Sequence, residues 1–390
     1  MDSYFSKINQ SRSTDEKLIL VNLALMFCSC YISPFAVGLS AIYLVLSRKR
    51  RQRFTLVPNL FWLGVWAGLT TVTGLMYRNL LGVACGLIFF LFILFGMYAW
   101  TIMTDKLAGQ IIRLAAIMSI AAFAIAVVQK LMGIDRTPAT FFNPNFYAFA
   151  CEVVFILCVS ALFSRKAEPL LYSLALAANL GGILLSGCRS AWLAVLGGVL
   201  VFLICTGKYK ACGISLSFAA VCGIVLLLKP DLIPRSDDFG TTVTLRQMIW
   251  SAGYQVFLKH PLFGEGFLSY RFATVGMGRA HMSHGSVIAH AHNILLDSLI
   301  NFGLVGTAIA LLFLVPAVLK WVKRRRHNPA GAIAVAVFTA MLIHGITDVP
   351  VLGYQTGSLT MLLLALSGAV KSSGDDRRVW LPKFMRRKIG

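Results

Sequence analysis

Charge is scarce in this chain of 390 residues: 13% of them are charged, 58% are hydrophobic and acidic residues number only 15. Mean hydropathy is +0.77, whereas an ordinary water-soluble domain carries about 25% charged residues. A soluble globular fold is therefore excluded. Metal-ligand cysteine spacing is also missing. The nine cysteines (Cys28, Cys30, Cys85, Cys151, Cys158, Cys188, Cys205, Cys212 and Cys222) lie in or beside apolar runs and form neither a zinc pattern nor a secreted disulfide framework. No internal repeat or low-complexity tract occurs. No small-residue cleavage site ends the first apolar run, so the segment after Lys7, Arg12 and Lys17 reads as a membrane anchor rather than a removable signal peptide. The net charge of +21 does not imply nucleic acid, because the basic residues sit in short clusters between apolar runs instead of along one face.

What the chain has in abundance is long apolar runs. A membrane helix needs about 20 predominantly apolar residues, with ~17 at the short end. Runs of that kind predict an all-α, polytopic membrane protein with about twelve transmembrane helices in a single integral membrane domain over residues 1–390. Residues 18–47 are too long for one span and carry Pro34, so they predict two short helices. Further spans are expected at 55–76, 80–103, 112–132, 145–163, 169–187, 190–206, 211–229, 292–319, 330–347 and 352–370. Lysine and arginine accumulate on cytoplasmic segments. With the N-terminus inside, 26 of the 36 fall on that side, so both termini are expected in the cytoplasm.

This topology leaves one long polar segment, residues 230–291, on the outer face between the ninth and tenth spans. Loops of this length are usually functional. Val243–Lys259 has helical apolar spacing, with Thr241, Thr242 and Thr244 as capping candidates, and Pro261 with Gly264-Glu265-Gly266 ends it. Three residues far apart in sequence gather on the same face. Arg189 occupies the turn between the seventh and eighth spans, where an arginine either snorkels to the interface or binds an anion. Arg246 is expected in the first turn of the loop helix, whose free N–H groups would add to an anion site; alternatively it meets solvent or a lipid headgroup. His292 opens the tenth span, as a base or as a satisfied helix-end histidine.

His281, His284 and His290 lie close to His292 and could hold a metal, but no cysteine or H-E-x-x-H spacing accompanies them, and no metal or cofactor is expected. Asp237-Asp238 reads as a solvated acidic pair. His344 and Asp348 are four apart, so on one helix face Asp348 would orient a histidine, pair with an arginine, or simply meet water. Glu152 and Asp297 are costly carboxylates in or beside spans to which the sequence assigns no role.

The segment His292-Asn293, nine residues, then Gly303-Leu304-Val305-Gly306-Thr307 resembles the signature of the bacterial O-antigen ligases. Ser186-Gly187-Cys188-Arg189-Ser190-Ala191-Trp192 is similar to that family's first arginine stretch. Thr244 to Trp250, followed by Lys259-His260-Pro261-Leu262-Phe263-Gly264-Glu265-Gly266, is similar to its second, and His290-Ala291-His292-Asn293 to its histidine motif. The likeness covers about the C-terminal half. It implies a metal-independent membrane glycosyltransferase of the bacterial inner membrane, with its active site facing the periplasm. O-polysaccharide would pass from undecaprenyl pyrophosphate to a sugar hydroxyl of the lipid A-core, with inversion. In that scheme Arg189 and Arg246 hold the pyrophosphate and His292 is the catalytic base, with Asn293, His290, His344 and Asp348 in support. Membrane lipids are the other partners, and Lys259, Arg271 and Arg279 would attract lipid A phosphates.

Three other readings remain. An O-antigen polymerase shares the scaffold and the donor, but polymerases commonly have two large outer loops. A protein O-oligosaccharyltransferase belongs to the same superfamily and typically carries further C-terminal sequence. A lipid or sugar transporter would depend on Glu152 or Asp297 in mid-membrane.

Overall fold

The computed structural model describes residues 2–163, 168–229, 239–275, 288–324 and 329–369. Among them regular structure is helical, with no strand. The helices are α1 Asp2–Cys28, α2 Ile32–Leu46, α3 Arg48–Arg51, α4 Leu60–Met76, α5 Leu80–Ile102, α6 Asp105–Leu131, α7 Pro144–Leu162, α8 Pro169–Ser186, α9 Arg189–Cys205, α10 Tyr209–Leu228, α11 Phe239–Lys259, α12 Ser269–Val275, α13 Ile294–Arg324, α14 Pro329–Gly345 and α15 Tyr354–Ala365.

Local chemistry sets many of the boundaries. Asn79 Oδ1 accepts the Gly82 N–H at the start of α5, and Thr104 Oγ1 caps α6 through Leu107. Asn143 caps α7 through Phe146, with Pro144 at the first helical position, where its missing N–H costs nothing. Gly187, at φ +63°, closes α8 in the left-handed conformation that glycine adopts without strain.

Six of the described helices are long and apolar enough to cross a membrane: α5, α6, α7, α8, α10 and α13. The bent segment Arg48–Leu56 with Leu60–Met76 makes a seventh if counted as one span. The expected twelve crossings are thus not reached by length and composition. Apolar helices α2, α9 and α14 have 15, 17 and 17 residues. At 1.5 Å per residue the longer two reach only about 26 Å, short of the ~30 Å hydrocarbon core. The first turn also differs from expectation: the chain breaks at Ser29–Tyr31, and Pro34 lies inside the opening turn of α2.

Helix α7 lies at the centre, with Phe149, Val153, Leu157 and their neighbours fully buried. It packs on α8, α9 and α14. Small residues let α9 and α14 approach closely, as is common between membrane helices. A methyl group added at Gly198 would meet Ile156 Cδ1, Ala336 O and Ala340 Cβ. This packing brings the start of α9 beside the end of α14. By contrast, α10 buries only Cys212 and presents Ile214, Phe218, Leu227 and Leu228 outward.

Helices α11 and α12 belong to the predicted long loop. Ile249, Val256, Tyr270, Ile288, Ala291 and Ile300 form a second small core that joins them to α13. Residues 230–238 and 276–287 of that loop, with Asp237, Asp238, Arg279, His281 and His284, lie outside the described residues. Helix α11 begins at Phe239, four residues earlier than expected. Thr241, Thr242 and Thr244 therefore sit inside the helix and do not cap it; Thr244 Oγ1 donates back to Gly240 O. Arg246 consequently lies about two turns beyond the start, and the helix N-terminus adds nothing to its anion affinity.

The tenth expected span is broken. Gly303 at φ +62°, ψ −172° interrupts α13, in a region open essentially only to glycine. The turn after α11 enters this break. Leu304 N–H donates to Pro261 O, Val305 N–H to Leu262 O, and Gly266 N–H to Asn301 O. A Cβ at Gly303 would lie 2.4 Å from the Leu262 carbonyl. Thr307 Oγ1 reaches across to Ser298 O. The glycine of the Gly-x-x-Gly-Thr pattern is thereby explained as a docking point for the loop.

Candidate active site

One end of the bundle gathers the last residues of α4, α6, α8 and α14 and the first residues of α5, α7, α9 and α13, tied together by Asn79–Phe267, Thr137–Leu185, Arg136–Ser186 and Asn145–Asp348 hydrogen bonds. The short loop before α13 and the turn after α14 meet there. Two polar ties hold that loop in place. Asp297 Oδ1 accepts the Ala291 N–H, while its Oδ2 takes Asn301 Nδ2. Asn293 Oδ1 accepts from the Leu295 and Leu296 N–H groups, and its amide donates to Ile346 O. Asn293 is thus the cap of α13 and the link to the opposite turn. Between these ties His292 adopts φ +50°, an uncommon state for a side chain larger than glycine.

That backbone brings His290 and His292 to one carboxylate. Asp348 Oδ1 lies 2.9 Å from His290 Nε2 and 2.9 Å from His292 Nδ1. Its own turn adds the Val349 N–H at 2.8 Å, and Asn145 Nδ2 donates to Oδ2 at 2.5 Å. Asp348 is almost inaccessible, with 3% of its side chain exposed, against 13% for His290 and 22% for His292. The histidines are the open side of the cluster and the carboxylate its inner wall.

The electrostatics separate the three groups. Burial alone would push the Asp348 carboxyl up, but the charges and hydrogen bonds of His292 and His290 outweigh it and hold the group well below the usual carboxylate range. For His292, burial is the largest influence; with the charges of His290 and Arg246 it overcomes the pull of Asp348, and the imidazole falls to about 4. Burial also lowers His290, but its hydrogen bond to Asp348 and the charges of Asp348 and Asp297 prevail, so it is raised. Near neutral pH His292 is therefore uncharged and Asp348 ionised.

A hydrogen bond from His292 Nδ1–H to Asp348 fixes the tautomer in which Nε2 carries the lone pair. Such a nitrogen can accept a proton. The same three side chains present ligand atoms within 4.8 Å of one another, a grouping that could also hold a metal ion.

The predicted arginines approach from two directions. Arg246, in α11, is near enough for its charge to act on both His290 and His292. Four residues along α11, Trp250 Nε1 donates to His292 O at 3.4 Å. Arg189 is the first residue of α9 and follows Cys188, whose Sγ lies 3.9 Å from His344 Nε2. It therefore stands beside the end of α14 that leads into Asp348. His344 itself does not join the cluster. Helix α14 ends at Gly345, Asp348 lies in the following turn, and the two side chains diverge instead of sharing a helix face. His344 points inward to Glu152.

Two further residues belong to the assembly and carried no sequence signal of their own. Arg136 donates from Nε to Ser186 O, in the turn preceding Arg189, and from Nη2 to Asn145 Oδ1. Asn145 passes that contact to Asp348. The Arg136-Thr137-Pro138 and Asn143-Pro144-Asn145 segments read as ordinary loop punctuation, and Asn145 and its partner Asp348 are 203 residues apart.

Residues 174–311 match the sequence model of a family described as O-antigen ligase. Over that stretch the chain is similar to the O-antigen ligase family. The matched segment runs from α8 into α13 and contains Arg189, Arg246, His290, His292 and Asn293. Arg136, Asn145 and Asp348 lie outside it and reach its histidines only through the fold. No curated protein matches the chain.

Proposed function

We propose that the protein transfers O-polysaccharide from undecaprenyl pyrophosphate to a sugar hydroxyl of the lipid A-core, at the periplasmic face of a bacterial inner membrane, with both termini in the cytoplasm. The observation that carries this reading is the hydrogen bond between His292 and Asp348 on the open side of the bundle end, within reach of the charge of Arg246.

The chemistry asked of such a site matches these groups. A sugar hydroxyl is a poor nucleophile, and a neutral imidazole positioned to take its proton is typically worth ~10²–10⁴-fold. His292 would take that proton on Nε2 while Asp348, bound to Nδ1, steadies the imidazolium that forms. Pyrophosphate is already a good leaving group and needs charge stabilisation more than protonation. Guanidinium groups supply this in a fork that matches phosphate oxygens, and Arg189 and Arg246 are assigned that role. His290, the more readily protonated of the two histidines, adds positive charge beside them. The acceptor oxygen attacks the anomeric carbon as the bond to the pyrophosphate oxygen breaks, the proton passes to His292, and the configuration inverts. No metal enters this scheme. Both substrates have lipid anchors, and apolar faces such as that of α10 suit lipid chains.

The test is transfer in cells that lack their own ligase but still make lipid-linked O-polysaccharide. Expression of the intact chain should cap the core with long polysaccharide, seen as a ladder on a lipopolysaccharide gel. Longer lipid-linked chains without capping would make it a polymerase. Neither product would favour transport.

A further inference from the structure

Among the described residues, the centre of the bundle holds an ionisable cluster that the proposed reaction does not use. Glu152, in the middle of α7, and His344, in the last turn of α14, have no exposed surface. Glu152 Oε1 and His344 Nδ1 are 2.5 Å apart. The other edge of the imidazole faces Cys188, with Nε2 3.9 Å from Sγ, and Phe149 closes its flank edge-on at 5.9 Å. Glu152 Oε2 has no hydrogen-bond partner among the described residues.

Stability alone is a weak reason for this arrangement. Removing two ionisable groups from water is costly, and well-packed apolar residues of similar volume usually stabilise a core as well or better. An unsatisfied carboxylate oxygen adds to the cost. What the pair supplies that apolar residues do not is direction. With Nδ1 fixed by Glu152, the ring can present only Nε2 to Sγ, so the turn Ser186-Gly187-Cys188 meets α14 in one register. Cys188 N–H donates to Ser186 Oγ, and Ser186 O receives Arg136, so the turn moves as a unit. Arg189 follows directly, and Asp348 N–H is bonded to His344 O. One imidazole thus touches the segment bearing Arg189 on one side and carries the turn bearing Asp348 on the other.

We propose that Glu152 and His344 are positioning residues for Arg189, fixing its guanidinium for the donor pyrophosphate. The inference rests on the reading that Arg189 binds that group. Misplacing a substrate-holding side chain by about 1 Å can cost on the order of 10²-fold, so a core contact of this kind has room to matter.

The experiment uses the full chain in detergent and inorganic pyrophosphate as the probe, titrated calorimetrically, with thermal unfolding measured on the same samples. Glu152→Gln keeps the volume and removes the charge. It is expected to bind pyrophosphate about tenfold more weakly than the intact chain; removing one partner of a buried pair also lowers the melting temperature, so binding is compared at a temperature where the unfolding curves show every variant folded. In a double-mutant cycle Glu152→Gln should add nothing to Arg189→Ala and add fully to Arg246→Ala. Unchanged binding in Glu152→Gln, or equal weakening on both arginine backgrounds, overturns the proposal. If Glu152→Gln fails to fold, Cys188→Ala removes the contact to the turn while leaving the buried pair intact, and the same non-additivity with Arg189→Ala is required of it. Arg189→Ala binding pyrophosphate as tightly as the intact chain would overturn the assignment of Arg189 itself, and the positioning role with it. Weak binding by Arg189→Ala beside normal binding by Glu152→Gln overturns the positioning role alone.

Discussion

His292 Nδ1 is hydrogen-bonded to Asp348 Oδ1 at 2.9 Å although 56 residues separate them. The contact joins the loop before α13 to the turn after α14, and it leaves Nε2 as the ring nitrogen free to take a proton. Loss of the carboxylate charge should therefore act on turnover more than on binding. Asp348→Asn is expected to lower kcat by about 10²-fold or more with the donor KM changed little. His290→Ala, which leaves the His292 contact intact, should cost less. Steady-state transfer rates at several donor concentrations check both.

The acid limb of activity should lie unusually low. His292 must be unprotonated to act as a base, and burial depresses it to about 4, against ~6.5 for an exposed histidine. The profile of kcat/KM is expected to stay level from neutral pH down to about pH 5 and to fall near 4. A fall centred near 6.5 would contradict the buried, neutral state. Stability is a poorer probe, because the two histidines act with opposite sign. The depressed His292 contributes stability that is present above its unfolded value and lost as pH falls toward 4. The raised His290 contributes stability that is complete below its unfolded value and lost as pH rises through its folded one.

Arg246→Lys should not rescue Arg246→Ala fully. A lysine keeps the charge and loses the planar fork that grips two phosphate oxygens. The expected order of pyrophosphate affinity is intact chain, then lysine, then alanine, with each step about 1 kcal/mol or more. The same titration used for Glu152→Gln measures it.

Gly303 provides a test of the fold that is separate from chemistry. Its conformation and the close approach of the Leu262 carbonyl predict that Gly303→Ala lowers stability by at least ~1–3 kcal/mol and unseats the Pro261–Gly266 turn. Gly109, on α6, has open space around it, so Gly109→Ala should be neutral or slightly stabilising. Thermal unfolding of the two variants side by side decides the matter, and equal melting temperatures would contradict the docking role of the break.

Much of this was legible because apolar runs and turn residues act locally. The helices over 80–102, 144–162, 169–186 and 209–228 follow the expected spans within a few residues. Hydropathy could not settle how many of them cross a membrane, since short buried helices such as α9 and α14 are as apolar as full spans. The three threonines near α11 suit either a cap or a helix interior; the structure uses the second, and Arg246 moves out of the first turn. At the site, His292 stood out as an imidazole at the mouth of an apolar run. Arg136 and Asn145 did not, because their importance comes from the packing of α7 against both α8 and α14 and from nothing in their own neighbourhoods.

The most direct test of the account is transfer by purified protein from a lipid-linked polysaccharide donor to lipid A-core, comparing the intact chain with His292→Ala under conditions where both bind the donor equally. The account predicts that His292→Ala binds donor normally and transfers at least ~10²-fold more slowly. Transfer at the intact rate would contradict it, and the base would have to be sought elsewhere.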